Sequence, residues 1–215
     1  MIIRPYCSAS GRNLIYEYID SLSIEEQVDG YTVLQHMEKG EFDKIFFKPW
    51  EKKIYEVYFQ KHNRIFYIMT DKENIYLLHA CKKQKNKTEK KDANIVRKRA
   101  KELGEILRKK FIWGVTSMPF IQTSVEKKIE LKRESNPEFK KNWDESRAEY
   151  KLIGEMISLR KKEKMTQKEL AALTGNKQQV ISRIERKESI PTIRAFSRIL
   201  DALGYELQIV KKKSL

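Results

Sequence analysis

The stretch 166–185, TQKELAALTGNKQQVISRIE, decides how the second half of the chain folds. Leu170, Ala171 and Leu173 fall on one side of a first short amphipathic segment. Val180, Ile181 and Ile184 fall on one side of a second. Thr166 and Glu169 have capping-box spacing, in which a Thr hydroxyl accepts from the N3 backbone N–H and the Glu reaches back. Gly175 between the segments permits the left-handed backbone that ends a helix. Helix, tight turn, helix is the geometry that lays a second helix in a DNA major groove. Its exposed face would carry Lys177, Gln178, Gln179, Ser182 and Arg183, side chains that bond base edges and phosphates. The alternative is a generic helical hairpin with a polar face.

Thr166-Gln167, Leu170-Ala171, Gly175, Ile181-Ser182, Glu185 and Pro191 together resemble the helix-turn-helix of the Xre/Cro family. Lys177 stands where that family usually has Ser or Thr. Asn176 is therefore a candidate cap, and the recognition helix starts at one of two neighbouring positions. Gln167, Lys168, Lys177, Gln178, Gln179, Ser182 and Arg183 are the expected DNA contacts. Gln178 and Gln179 suit adenine, and Arg183 suits guanine or phosphate. One such unit makes few contacts, so a homodimer on palindromic operator DNA is expected, with half-sites about one helical turn apart.

Outward from this stretch, the 215 residues suffice for two small domains, and 40% hydrophobic content supports compact cores. The net charge of +15 favours polyanionic partners, nucleic acid first. It is unevenly placed. Residues 1–81 hold 10 Lys and Arg against 12 Asp and Glu, whereas residues 82–110 hold 13 against 4 and residues 111–215 hold 22 against 14. Only the last basic region is explained by the helix-turn-helix. Cys7 and Cys81 are the only cysteines, so neither a disulfide framework nor a cysteine-based zinc site is implied. No membrane span or signal peptide is evident, and a cytoplasmic protein without membrane contact is expected.

At the N-terminus, Ile2, Ile3 and Tyr6 suggest a strand. Ile15, Tyr18, Ile19 and Leu22 share a helical face, and a second capping box at Ser23 and Glu26 opens a helix running to Gly40. Residues 54–59, 64–69 and 75–81 then read as an antiparallel meander. KKQKNKTEKK (82–91) reads alone as a solvated loop. A helix over 92–109 places Val96, Ala100, Leu103 and Leu107 on one face and Arg97, Lys98, Lys101 and Arg108 on the other. Asn136-Pro137 starts a further helix, Pro191-Thr192 another that Gly204 ends, and residues 205–210 alternate as a possible strand. An exposed edge strand there would pair with a second copy.

The fold class is thus α+β: a β-α-α-β-β-β-α domain followed by an all-α helix-turn-helix domain with a C-terminal strand. The first part, over residues 1 to about 110, is similar to the RelE/HigB superfamily of toxins, in its phage-derived HigB branch. The resemblance rests on the Met1-Ile2-Ile3-Arg4-Pro5-Tyr6 start, Gly11-Arg12, Tyr55-Glu56, Arg64-Ile65-Phe66-Tyr67, Leu77-Leu78-His79, Lys82-Lys83 and Lys87-Thr88. Met118 resembles the start of a separate antitoxin of HigA type. The expected organisation is a toxin domain over 1–112, a linker over 113–135 and an antitoxin domain over 136–215.

This resemblance implies ribosome-dependent, metal-independent endoribonucleolytic cleavage of messenger RNA, with no cofactor. It also implies neutralisation by the second half, which represses its own gene. The cleavage needs a base for the 2′-hydroxyl, cations for the phosphorane and an acid for the leaving oxygen. Arg64 is the candidate for phosphate stabilisation, Lys83 and Lys82 for the basic catalytic position, and His79 for acid or base. Tyr58 occupies a place where relatives usually carry a cation. Lys85, Lys87, Arg97 and Lys98 are expected to grip RNA. Against each stands a structural alternative: an ion pair for Arg64, a hydrogen-bonded sheet histidine for His79, a solvated loop for the lysines. Two other functions remain open, a transcriptional regulator with an inactive RelE-like interaction domain and a pure RNA-binding protein.

Overall fold

The computed structural model describes residues 1–82, 88–113 and 118–211. They form two compact units, 1–148 and 149–215.

The first unit is built on a five-stranded sheet in the order β1-β5-β4-β3-β2. β5 (Asn74–Lys82) is the longest strand, lying between β1 (Ile2–Pro5), which it pairs in parallel, and β4 (Asn63–Met69), which it pairs antiparallel. β3 (Ile54–Phe59) joins β4 through a tight turn in which Lys61 and His62 both have positive φ, as a twist-matched hairpin requires. These are the expected strands. The structure adds one, β2 (Phe47–Glu51), at the free edge beside β3. Its FKPWE sequence lacks clean alternation, and Pro49 cannot donate to a ladder, which confines it to an edge.

Both expected N-terminal helices form. α1 (Leu14–Asp20) is capped by Asn13, whose side chain accepts from the backbone of Ile15 and Tyr16. α2 (Ile24–Lys39) has the Ser23–Glu26 capping box and ends on left-handed Gly40. Ile15, Ile19, Tyr31, Leu34 and Met37 are fully buried. α2 comes so near the sheet that a Cβ at Gly30 would lie 3.1 Å from the Phe59 ring. α3 (Lys90–Trp113) buries Val96 and Leu103 against Phe66, Tyr76 and Leu78, with Ala100 and Leu107 alongside, on the periodicity read from the sequence.

In the stretch read as a linker, residues 118–135 pack on the first unit. Phe120 and Thr123 bridge antiparallel to Tyr6 and Ile3 on the outer edge of β1. α4 (Val125–Ser135) buries Val125 and Ile129. The first part of α5 (Pro137–Lys162) buries Phe139 and Trp143. The contact boundary therefore falls within α5, at 148/149. Apolar positions are sparse in 118–135, so the sequence alone concealed how much of this stretch is packed.

The second unit comprises the remainder of α5 with α6 (Gln167–Leu173), α7 (Gln178–Glu185) and α8 (Ile193–Ala202). Ile153, Met156, Ile157, Leu170, Ile181, Ile184 and Ile199 form its core. Thr192 caps α8 and Gly204, at positive φ, follows it, as expected. The C-terminal strand is not present. Residues 205–211 have no regular structure and Ile209 is fully exposed, since an alternating segment becomes a strand only beside a partner. Among the described residues no helix is long and apolar enough to cross a membrane.

Candidate functional site

In the second unit the local chemistry works as the spacing implies. Thr166 Oγ1 accepts from Glu169 N–H at 3.2 Å, and Glu169 Oε2 accepts from Thr166 N–H at 2.7 Å. Gly175 takes φ +66° and Asn176 N–H returns to Ala171 O at 2.8 Å, which closes the turn. Lys177 is the N-cap of α7 and makes no side-chain capping bond. The Asn176 amide instead donates to Thr174 Oγ1 at 3.0 Å, so it braces the turn and does not cap the helix. The first N–H groups of α7 are thus without a side-chain cap, beside a cation.

Lys168, Lys177, Gln178, Gln179 and Arg183 are exposed and Ser182 is half-buried. Gln167 differs from the rest of the expected contact set: its Nε2 donates to Glu185 Oε2 at 2.8 Å. That carboxylate is the hub of the unit. It is buried and takes a bidentate bond from Arg160, Nε to Oε1 at 2.5 Å and Nη2 to Oε2 at 2.9 Å, while Arg160 Nη1 donates to Met165 O. α5, α6 and α7 are locked together at one point. The motif match included Glu185, but Arg160 lies 25 positions away and the sequence gives no sign of the pairing. Two apolar assignments change: Leu173 (64% exposed) and Val180 (39%) face outward.

In the first unit, strand register settles which residues share a face. Tyr58 pairs across from Arg64, Glu56 from Phe66, Arg64 from Cys81 and Phe66 from His79. Directly opposed residues point the same way. Tyr58, Arg64 and His79, all nominated from sequence, therefore share the face that α3 packs against, with Glu56 and Cys81. Arg64 is held in an ion pair, the structural alternative to phosphate binding. It is buried, its Nη1 is 3.1 Å from Glu56 Oε2, and its Nε lacks a hydrogen-bond partner. The buried Tyr58 hydroxyl also donates to Glu56, and Lys48 Nζ approaches the same carboxylate at 3.3 Å. Burial, and next the hydrogen bond to Glu56, push the Tyr58 phenol far above its ordinary range.

His79 Nε2 lies 2.8 Å from Asp92 Oδ1 at the start of α3. Burial pulls the imidazole below its ordinary pKa, against the opposing pull of Asp92. Sequence reading missed Asp92 because a 13-residue separation across a basic loop carries no periodic signal. Lys82 is separated from this group. It alternates to the opposite face and pairs with Glu26 at 3.5 Å. Arg97 pairs with Glu51 and lies over the Trp50 ring, while Lys98 is exposed on α3. Lys83, Lys85 and Lys87 lie outside the described residues.

The side chains of His79, Cys81 and Asp92 bring one ligand atom each within 4.8 Å of one another. The geometry fits a metal poorly. Arg64, a fixed cation, is the cross-strand neighbour of Cys81, and burial raises that thiol to about 11, which keeps it protonated.

Comparison with known proteins matches two separate stretches of the chain. Residues 17–101 match the family of phage-derived Gp49-like proteins, and residues 156–210 match the helix-turn-helix family. An uncharacterized HTH-type transcriptional regulator of Haemophilus influenzae is 38% identical over 66 residues, which is 31% of this chain and 67% of that protein.

Proposed function

Because the chain belongs to the HTH-type regulators through its second unit and carries a Gp49-like, RelE/HigB-type toxin domain ahead of it, we propose that it is a cytoplasmic toxin–antitoxin pair in a single chain. The toxin part is a ribosome-dependent, metal-independent mRNA endoribonuclease. The remainder neutralises it and represses its own operator as a dimer. The observation that carries the nuclease reading is the shared sheet face: a histidine held by Asp92 lies on the same face as the buried Arg64–Glu56 pair. An imidazole below its usual pKa is in its base form near neutrality, suited to deprotonate a 2′-hydroxyl attacking the adjacent phosphate. The 2′-oxygen–phosphorus bond forms as the phosphorus–5′-oxygen bond breaks, and the proton taken by the imidazole passes on to the leaving oxygen, which gives a 2′,3′-cyclic phosphate and a 5′-hydroxyl. Arg64 stabilises the phosphorane once its guanidinium is opened to substrate. The exposed Lys98 side chain supports electrostatic attraction of RNA.

The exposed Gln178, Gln179 and Arg183 on α7 support operator reading, with Lys168 and Lys177 on phosphates. Growth arrest on expression of residues 1–112, relieved by the full chain, is the expected result. Harmless accumulation of folded 1–112 would count against an active nuclease.

One observation favours a second reading, a regulator whose RelE-like domain only binds. Glu56 neutralises Arg64 inside the fold, and Tyr58 stands where a cation is usual. Under that reading operator binding persists and messages are never cut.

A further inference from the structure

Residues 118–148 lie outside both family matches, yet they belong to the first compact unit. Their contacts have the form of a bound peptide. Thr123 N–H donates to Ile3 O at 3.0 Å, Ile121 N–H to Pro5 O at 3.3 Å, and Pro119 O accepts from Cys7 N–H at 2.6 Å. An extended segment thereby covers the free edge of β1, in the manner of strand addition. The chain then enters α4, whose N-terminus is held from outside. Glu38, on α2, accepts from the backbone N–H groups of Val125 at 2.9 Å and Glu126 at 3.1 Å. A carboxylate there satisfies orphan donors and opposes the positive end of the helix dipole.

One turn further on, Lys128 and Lys132 both reach Asp20, at the end of α1, at 2.9 and 2.6 Å. Tyr31 donates to the same carboxylate at 2.7 Å. Apolar anchors complete the contact. Phe120, Val125, Ile129, Phe139 and Trp143 are each at most 5% exposed, and Phe139 meets the Tyr31 ring edge-on. Arg147 donates to Thr32 at 2.8 Å.

We propose that residues 118–148 are a self-contained docking module whose receptor is the β1 edge and the α1–α2 surface, and that they hold the toxin-like domain without needing the covalent link. The antitoxin function is then divided: this module binds the toxin-like domain, and residues 149–215 bind DNA. The biological meaning rests on the toxin–antitoxin reading; the docking itself does not. Recognition combines backbone pairing at an edge, five apolar anchors and a charge match between two lysines and Asp20.

The test uses the full chain with a specific protease site inserted between Trp113 and Met118. After cleavage, the two pieces are expected to co-elute on gel filtration. Asp20→Lys is expected to weaken their association on the order of 100-fold, and Lys128→Asp with Lys132→Asp is expected to restore it in that background. Restoration separates loss of docking from loss of folding. Cut pieces that part without any substitution overturn the proposal. So does an Asp20→Lys chain whose pieces stay together as tightly as the parent's. If the parted first piece cuts no message, the nuclease reading falls and the docking module stands.

Discussion

Arg160 and Glu185 meet as a buried bidentate pair, and Gln167 shares the same carboxylate. Three helices of the second unit depend on this contact. Removing one partner leaves a charge without compensation in the core, which costs about 3–5 kcal/mol. Glu185→Ala is therefore expected to melt the second unit well below the parent in a thermal scan followed by circular dichroism. The paired change Arg160→Met with Glu185→Leu is expected to recover most of the loss, because a hydrophobic replacement avoids burying a lone charge.

The exposed face of α7 sets a second expectation. Gln179→Ala or Arg183→Ala should weaken binding to DNA from the chain's own upstream region by about 1–3 kcal/mol each, and relax sequence preference. Lys168→Ala and Lys177→Ala should weaken binding to all sequences and flatten the salt dependence. Fluorescence anisotropy across a salt series distinguishes the two classes. Equal effects on operator and random DNA for Arg183→Ala would remove it from the base-reading set.

Gly30 marks the closest approach of α2 to the sheet. Its Cβ would meet Phe59 at 3.1 Å and Ile19 at 3.3 Å. Gly30→Ala gains helix propensity but forces both neighbours to shift, a net loss of about 1–3 kcal/mol by analogy with overpacked cores. Urea denaturation measures it, and an unchanged midpoint would show that the contact relaxes freely.

The His79 environment gives stability a pH dependence. Its folded pKa lies below the ordinary 6.5, so the unfolded chain binds the proton more readily. The stabilisation is complete above that ordinary value and is lost as pH falls through the lower, folded one. His79→Gln removes the titrating group and is expected to flatten the fall in melting temperature of the first unit from neutral to mildly acidic pH.

Much of this architecture is legible in the sequence because periodicity and caps are local. Ser23–Glu26, Thr166–Glu169, Gly40, Gly175 and Gly204 all fall where they were read, and α3 buries the face its spacing marked. Long-range pairings are what local patterns cannot carry. An ion pair is one of two readings of Arg64 in the sequence, but that it is buried against Glu56 is not written there, and neither Asp92 beside His79 nor Glu26 beside Lys82 leaves a sequence signal. Leu173 and Val180 fit an amphipathic pattern yet stand outside the core, because short helices bury a narrower stripe than their apolar residues suggest. The alternation of 205–210 describes a strand-forming segment, which no described residue of the same chain pairs.

The most direct test of the central claim is primer-extension mapping of messages on translating ribosomes. It compares residues 1–112, the same fragment with Lys83→Ala or His79→Asn, and the full chain. The account predicts discrete cuts with the parent fragment that end in 2′,3′-cyclic phosphates, loss of most cutting in the variants, and no cuts with the full chain. A folded, ribosome-exposed fragment that leaves messages intact would contradict it and leave a DNA-binding regulator with a non-catalytic RelE-like domain.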